Sequence, residues 1–301
     1  MACTRNRAPR QSVRHFRACM GPALAAFLIA CSEAPAPPPA VAGSAALEAH
    51  SAEFRRDIIE VVPGIHVAIG YALANVILIE GDDGVIIVDT TESLEAARTV
   101  KAEFDRITDK PVQAIIYTHN HTDHIFGAEA FAAGRDVPVY AHKTTWSHIE
   151  RIMNVLRPVI ETRSFHMFGN YLEAGGEAII NDGIGPALAH STTGDGDIYG
   201  LLPPTHTVDE RLEVTIAGRR LVLMHAPGET DDQLLVWLPD ERVLLPGDNV
   251  YKAFPNLYTI RGTRYRDVMQ WAHSVRLMRS LGAEHLIPSH TRPVSGAKAV
   301  D

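Results

Sequence analysis

Residues 118–124 read Thr-His-Asn-His-Thr-Asp-His, and they follow an apolar run, 111–117, that is typical of a buried strand. Three imidazoles and one carboxylate therefore lie within six residues at the end of a strand. Histidine binds Zn²⁺ through its neutral ring, and aspartate supplies an anionic oxygen. Alternate residues of a loop can direct His119 and His121 at one ion. The adjacent pair Asp123 and His124 then faces elsewhere, so the run predicts ligands for two ions rather than a solvated polar loop.

The second half of the chain repeats this arrangement of a short apolar strand followed by polar residues. Predicted strands at 221–224, 243–245 and 285–288 lead towards Glu229, Asp248 and His290. In the first of these loops His225 is an alternative ligand to Glu229.

Other segments show the spacing of strands and helices that alternate. Strands are predicted at 65–69, 75–80, 85–89 and 137–141, and helices at 93–107, 125–133, 143–164 and 265–281. This order indicates an α/β layered fold in which the polar site lies at the strand ends. Asp89, at the end of its strand, is expected to orient a metal-bound histidine, and His142 is expected to be structural.

Composition limits the kinds of partner and of metal ligand. The 301 residues are 46% hydrophobic and carry a formal net charge of −8, with no basic block, so nucleic acid is not an expected partner. The three cysteines, Cys3, Cys19 and Cys31, all lie near the N-terminus. A metal site in the rest of the chain must therefore use His, Asp and Glu.

The N-terminal residues have the composition of an export signal. Residues 5–17 include five arginines, and residues 20–30 are mostly apolar. The string Leu-Ile-Ala-Cys at 28–31 resembles a bacterial lipobox. We therefore expect residues 1–31 to be a lipoprotein signal peptide with Cys31 lipidated. The alternatives are an ordinary signal peptide and a short hydrophobic leader. Residues 32–50, rich in Pro and Ala, are expected to form an extended tether before a folded domain at 51–301. The expected location is the periplasmic side of the envelope, anchored to the outer membrane.

The histidine run and the later loops together resemble the metallo-β-lactamase superfamily through most of residues 58–293. This resemblance implies an αββα four-layer sandwich with a dinuclear metal site at one edge of the sheets. Most of the superfamily has a histidine where this chain has Glu229. Alkyl sulfatases of the superfamily make that substitution. Further strings resemble theirs: Ala-Pro-Gly-Glu-Thr-Asp-Asp-Gln at 226–233, Asn-Leu-Tyr-Thr-Ile-Arg-Gly at 256–262, and residues 163–169, 181–186 and 248–251.

The resemblance also implies a role for each residue. One Zn²⁺ would be held by His119, His121 and Glu229, and a second by Asp123, His124 and His290, with Asp248 bridging. Asp123 and Asp248 would be the catalytic carboxylates, and Asn256 and Arg261 would bind the sulfate. Alkyl sulfatases often have glutamate at the bridge, so Asp248 is a departure. The implied reaction is zinc-dependent hydrolysis of an alkyl sulfate ester to an alcohol and inorganic sulfate.

Two other functions remain open at this point. One is hydrolysis of a thioester, lactone, lactam or phosphodiester by the same fold, and the other is metal binding by an inactive lipoprotein. Larger alkyl sulfatases continue into a helical dimerisation domain and a sterol-carrier-like domain, whereas this sequence ends at Asp301. It is expected to be either a fragment or a compact single-domain hydrolase, so long-chain preference and oligomeric state stay open.

Overall fold

The fold is known from a computed structural model that describes residues 44–169, 171–172, 179–186 and 199–301. The predicted signal peptide, and the predicted tether as far as residue 43, lie outside this range. The first β-sheet has seven strands in sequential order, antiparallel from β1 to β4 and parallel from β4 to β7. They are β1 Asp57–Val62, β2 Ile65–Ile69, β3 Val76–Glu80, β4 Val85–Val88, β5 Val112–Ile116, β6 Val139–His142 and β7 His206–Val208.

The second sheet has six strands in the order β13-β12-β11-β10-β9-β8. They are β8 Arg211–Ile216, β9 Arg219–His225, β10 Leu234–Leu238, β11 Val243–Leu245, β12 His285–Leu286 and β13 Val294–Ser295. The neighbours pair antiparallel except β11 and β12, which are parallel. The central strand β10 was not among the predicted strands, although all five of its residues are buried.

Helices lie against the outer face of each sheet. The described residues form the helices α1 Ser44–His50, α2 Leu94–Phe104, α3 Thr122–Ile125, α4 Ala128–Ala132, α5 Thr145–Arg151, α6 Arg157–Met167, α7 Val268–Ser280 and α8 Ala297–Val300, of which α6 has no buried residue. Side chains of α2, α4 and α5 pack on the first sheet, and Met278 of α7 packs on the second. Between the sheets, residues such as Ile77 and Val236 form a common core. The layers are therefore αββα, which confirms the predicted fold.

The helix α7 begins later than predicted because Asp267 caps it. The Asp267 carboxylate accepts hydrogen bonds from the N–H groups of Met269 and Gln270, as N-cap residues do. Its buried face consists of Trp271, Ser274 and Met278. Val268, the first residue of α7, is 48% exposed.

The predicted helix 143–164 is divided in two. A single π-helical stretch, Ile152–Leu156, joins α5 to α6. Pro158 stands in the first turn of α6, where its ring lacks an N–H and excludes the regular α-helical hydrogen bond to the preceding turn. The wider π turn accommodates it.

The end of the predicted tether is helical rather than extended. The helix α1 reads Ser-Ala-Ala-Leu-Glu-Ala-His, and alanine, leucine and glutamate favour helices in the absence of proline. Its residues contact the domain: Asn181 Nδ2 donates to the carbonyl of Leu47 at 2.9 Å, and His50 Nε2 lies 3.1 Å from the carbonyl of Gly183. Within the described ranges, no helix combines the length and apolarity needed to cross a membrane.

Candidate metal centre

The clustered side chains come from loops that leave strands of both sheets. His119 follows β5, Glu229 follows β9, Asp248 lies in the 3₁₀ turn Gly247–Asn249 after β11, and His290 follows β12. The strands are held in place by the core, so their ends bring residues far apart in sequence to one edge of the sheets.

The first cluster consists of His119, His121, Glu229 and Asp248. Glu229 Oε2 lies 3.5 Å from His119 Nε2 and 3.4 Å from His121 Nδ1. The side chains of His119 and Asp248 are 0% and 3% exposed, so the donor atoms face one another out of contact with bulk water.

The second cluster consists of Asp123, His124 and His290. Asp123 Oδ2 lies 3.3 Å from His124 Nε2 and 3.5 Å from His290 Nε2. Asp248 Oδ2 faces both clusters, at 3.7 Å from His119, 3.4 Å from His124 and 3.2 Å from His290. The structure thus brings all seven residues predicted as ligands into two adjacent groups that share one carboxylate oxygen.

The donor atoms have the chemistry and spacing of metal ligands. Ligands about 2.0–2.2 Å from a tetrahedral ion stand about 3.3–3.6 Å apart, close to the separations found in both clusters. The buried atoms His119 Nε2, His124 Nε2 and Glu229 Oε2 have no hydrogen-bond partner among the described residues. Buried polar atoms are rarely left unpaired, and an ion at each cluster would satisfy these. The residues therefore fit metal ions.

The histidine run is not a loop throughout. His121 is the N-cap of α3, and Asp123 and His124 lie within that four-residue helix. Successive helical residues project about 100° apart, whereas His121 itself still has an extended backbone, with φ −68° and ψ 146°. This change of backbone conformation sends the first two rings to one cluster and the Asp123–His124 pair to the other.

Asp89 orients His124, as the sequence predicted. Its Oδ2 lies 2.8 Å from His124 Nδ1 and accepts hydrogen bonds from Thr118 Oγ1 and Ser289 Oγ. Asp89 has φ 59°, a left-handed conformation that is uncommon for a residue other than glycine. The hydrogen bonds from three elements hold the carboxylate there and fix which face of the His124 ring meets the cluster.

In the second cluster the histidines lower the pKa of the carboxyl group, and the carboxylates raise the pKa values of the histidines. Burial raises the pKa of Asp123, but the His124 and His290 rings outweigh it and lower that pKa overall. Burial lowers the pKa of His290, but the carboxylates of Asp248 and Asp123 raise it to about 9. The pKa of His124 is raised for the same reason, by the carboxylates of Asp123, Asp248 and Asp89. Metal binding must therefore displace protons from these rings.

Glu229 is held by residues that the sequence did not single out. Its N–H donates to Asn249 Oδ1 at 3.1 Å, and Asn249 Nδ2 donates to the carbonyl of Ala226. The guanidinium of Arg266 lies 2.9 Å from Glu229 Oε1. Only the clustering of arginines at 261–266, soon after the Asp248 loop, could have indicated such a partner.

Arg261 lies near the clusters, and Asn256 lies at the surface. Burial lowers the pKa of Arg261, and the negative charges of Glu229 and Asp123 offset this only in part. Arg261 makes no hydrogen bond or ion pair with any residue that the structure describes. Asn256 is exposed, and its Oδ1 accepts a hydrogen bond from the N–H of Tyr258 at 3.2 Å.

His225, the alternative ligand, belongs to neither cluster. Its ring stacks on His142 at a centroid distance of 4.0 Å, and its Nε2 lies 2.8 Å from the carbonyl of Asp231. Because His225 is the last residue of β9 while Glu229 lies four residues into the loop, the two side chains point to different places. His142 ends β6, as expected, and contacts Thr144 through Nδ1.

Known proteins share this sequence pattern and this fold. A linear primary-alkylsulfatase from a Pseudomonas species is 37% identical over 230 residues, which are 74% of this chain and 42% of that protein. The alkyl/aryl-sulfatase BDS1 of Saccharomyces cerevisiae is 29% identical, over 81% of this chain and 38% of its own length. The solved structure of the stereoselective inverting sec-alkylsulfatase Pisa1 from Pseudomonas sp. gives a TM-score of 0.75 at 27% identity, covering 81% of this chain and 40% of that one.

The chain thus spans about 40% of the length of these three alkylsulfatases. The model of the metallo-beta-lactamase superfamily matches residues 70–290, a range that contains both clusters and most strands of the two sheets. The resemblance expected from the histidine run is confirmed, and the chain belongs to the metallo-beta-lactamase superfamily.

Proposed function

We propose that this protein is a zinc-dependent hydrolase that cleaves alkyl sulfate esters to an alcohol and inorganic sulfate. The observation that carries the proposal is Arg261, whose guanidinium has no partner among the described residues and interacts electrostatically with the Glu229 and Asp123 carboxylates of the two clusters. The names of the relatives, which are alkylsulfatases, support the same substrate class.

Two ions fit the two clusters. His119, His121 and Glu229 would hold one Zn²⁺, Asp123, His124 and His290 the other, and Asp248 would lie between them. Zinc in such a site lowers the pKa of a bound water towards neutrality and neutralises charge that develops on oxygen.

The carboxylates Asp123 and Asp248 orient the attacking water. Both have lowered pKa values despite burial, because the facing histidines favour the ionised form, so both are anionic at neutral pH. Asp248 Oδ1 is buried and has no hydrogen-bond partner among the described residues. It can therefore accept a hydrogen bond from that water while Oδ2 faces the clusters, which makes these two residues the proposed catalytic pair.

Arg261 and Asn256 bind the sulfate group. A guanidinium presents a planar fork of N–H donors that suits two oxygens of a tetrahedral anion, and its charge complements the ester's single negative charge. The Asn256 amide Oδ1 is already engaged by Tyr258, which leaves the Nδ2 donor for a sulfate oxygen.

The surroundings of Arg261 favour an apolar leaving group. Phe254 and Ile260 are 87% and 75% exposed, and Leu257 is 40% exposed, on the segment that contains Arg261. Exposed apolar side chains beside a binding site provide contact area for an apolar ligand. An alkyl alcohol suits this segment better than a polar one.

The test is hydrolysis by the zinc-loaded protein of sodium dodecyl sulfate, a short secondary alkyl sulfate and nitrocefin. We expect release of inorganic sulfate from at least one alkyl sulfate, and no nitrocefin turnover above that of the zinc-free protein. Nitrocefin turnover without sulfate release would favour the alternative of a lactam hydrolase. Zinc binding without sulfate release from either ester would contradict the proposed substrate class.

We also propose that the protein is exported and lipid-anchored through Cys31 on the periplasmic side of the outer membrane. The basic and apolar leader and the Leu-Ile-Ala-Cys string support this. In bacterial cells, Cys31→Ser should prevent labelling by a radioactive fatty acid, while Cys19→Ser should not. Equal labelling of both variants would contradict the anchor.

A further inference from the structure

Arg266 is a buried cation with a defined contact to the first cluster. Its side chain is 2% exposed, and its guanidinium lies 2.9 Å from Glu229 Oε1. A second contact runs to the carbonyl of Asn256. A buried charge is costly unless it is paired, so this guanidinium is placed against one carboxylate in particular.

The two oxygens of Glu229 have different neighbours. Oε1 faces Arg266, whereas Oε2 faces His119 and His121 at 3.5 and 3.4 Å and has no hydrogen bond among the described residues. Arg266 therefore pairs with one oxygen of Glu229, and the other oxygen remains available to the cluster. The carboxylate is presented as a one-atom donor, which is also how an imidazole acts.

The number of charges around the two clusters also indicates that Arg266 serves Glu229. Glu229, Asp123 and Asp248 place three carboxylates around the two clusters, one more than if a neutral histidine stood at 229. The guanidinium is charged at every accessible pH, so Arg266 offsets the additional negative charge.

We propose that Arg266 is a positioning residue that makes Glu229 equivalent to a neutral single-atom ligand, so that the first metal site depends on the pair rather than on the carboxylate alone. This inference rests on the metal centre of the proposed function.

The test is a double-variant cycle read by zinc affinity. Zinc affinity of the first site is measured by competition with a chromophoric chelator, and zinc per chain is measured by elemental analysis, in the full protein and in Arg266→Met, Glu229→His and the double variant. We expect Arg266→Met alone to weaken the first site about 10- to 100-fold, as loss of a ligand's supporting partner does. In the Glu229→His background, where no carboxylate needs the guanidinium, the same change should weaken zinc binding less than about 3-fold.

Two further variants separate pairing from folding. Arg264 is exposed and pairs with Asp231, so Arg264→Met is a matched control that should bind zinc as the unchanged protein does. Arg266→Lys keeps the charge and should restore part of the lost affinity. Circular dichroism of the zinc-free proteins identifies any variant that fails to fold. The double variant Arg266→Met/Glu229→His buries no unpaired charge, so it still tests the proposal if Arg266→Met alone does not fold.

Three results would overturn the proposal. They are unchanged affinity in Arg266→Met, an equal loss in both backgrounds, and no recovery in Arg266→Lys together with an equal loss in Arg264→Met. Failure of the unchanged protein to bind zinc would overturn the proposed metal centre itself, and it is distinguished by being the same in every variant.

Discussion

The metal centre and the neighbouring segment at residues 250–267 are built in opposite ways. His119 and His290 are fully buried, and each ring is fixed by a second contact, to Thr118 Oγ1 and to the carbonyl of Leu73. In the segment, Phe254 and Ile260 are 87% and 75% exposed, and no helix or strand is formed between residue 250 and α7.

In the proposed function, this difference separates the residues that would carry out the reaction from those that would select the substrate. Groups that must stay within fractions of an ångström are placed at strand ends, where the core determines their position. Groups that contact the variable part of a ligand lie on an irregular, exposed segment, where substitutions cost the fold little. Two arginines cross this division: the charge of Arg261 interacts with the carboxylates of Glu229 and Asp123, and Arg266 is buried against Glu229.

The strongest test of the comparison is Asp248→Asn. Loss of the shared anionic oxygen should weaken both clusters at once, so we expect zinc per chain to fall and sulfate release to drop by about 10³-fold, since metal ions contribute several kcal/mol of charge stabilisation. Elemental analysis and an assay of released sulfate measure the two effects. Full zinc content with lost activity would show instead that Asp248 does not hold metal.

Arg261→Ala should divide the two regions. We expect kcat/KM for an alkyl sulfate to fall about 10²-fold, which corresponds to the loss of a hydrogen bond to a charged group, with zinc per chain unchanged. Arg135→Ala, at an exposed arginine after α4, is a control with the same change of charge. A loss of zinc in Arg261→Ala would mean that Arg261, like Arg266, supports the metal centre.

The free energy of unfolding should also depend on pH through Glu92, whose carboxylate accepts a hydrogen bond from the N–H of Leu73. Burial raises the pKa of Glu92 to about 7, against hydrogen bonds from backbone N–H groups that lower it. In the zinc-free protein the folded state then keeps a proton that the unfolded chain releases near its ordinary pKa of 4.5. The free energy of unfolding therefore falls as pH rises from 4.5 to 7.

Glu92→Gln removes this cost while an amide oxygen still accepts from the N–H of Leu73. Because Glu92 remains partly exposed, we expect a gain of only about 1 kcal/mol at pH 8, or about 2–4 °C in Tm, and none at pH 4. Calorimetry at both pH values measures it. A gain of equal size at pH 4 would contradict the linkage to this carboxyl.

The smallest expected effect belongs to the exposed segment. Ile260→Ser should change the free energy of unfolding by less than about 0.5 kcal/mol, as surface substitutions usually do. Leu235→Ala, in the buried strand β10, should cost about 2–5 kcal/mol. Urea unfolding compares the two. A large loss in Ile260→Ser would mean that the segment is packed against the domain in solution.

The layers and the two clusters could be predicted from sequence because both follow from strand ends. Apolar runs that stop at a His, Asp or Glu indicate a buried strand followed by a polar loop, and this pattern alone predicts His119, Asp248 and His290 as site residues. Glu229 was preferred to His225 only through the family resemblance. Their separation by four residues across the end of β9 is a matter of loop path, which a single sequence does not specify.

The partners of the clusters could not be predicted because they are long-range and chemically ordinary. Arg266 contacts Glu229 across 37 positions in the sequence, and an arginine before a helix has no distinguishing pattern. The strand β10 was missed since a continuous apolar run of five residues fits a buried helix turn as well as a strand. The helix α1 was missed because the prolines before it dominated the composition of the segment.

The short helix α3 has a consequence for how this family can tolerate insertions. One turn of helix between His121 and His124 sets the angle at which the second pair leaves the chain. Adding or removing one residue there would rotate Asp123 and His124 by about 100° and so empty one cluster while the other kept its rings. The loops that carry Glu229 and Asp248 are instead fixed to each other through Asn249, which accepts from the Glu229 N–H and donates to the carbonyl of Ala226. The number of residues from His119 to His124 is thus set by the helix, because any change in it would move one pair of ligands away from its cluster.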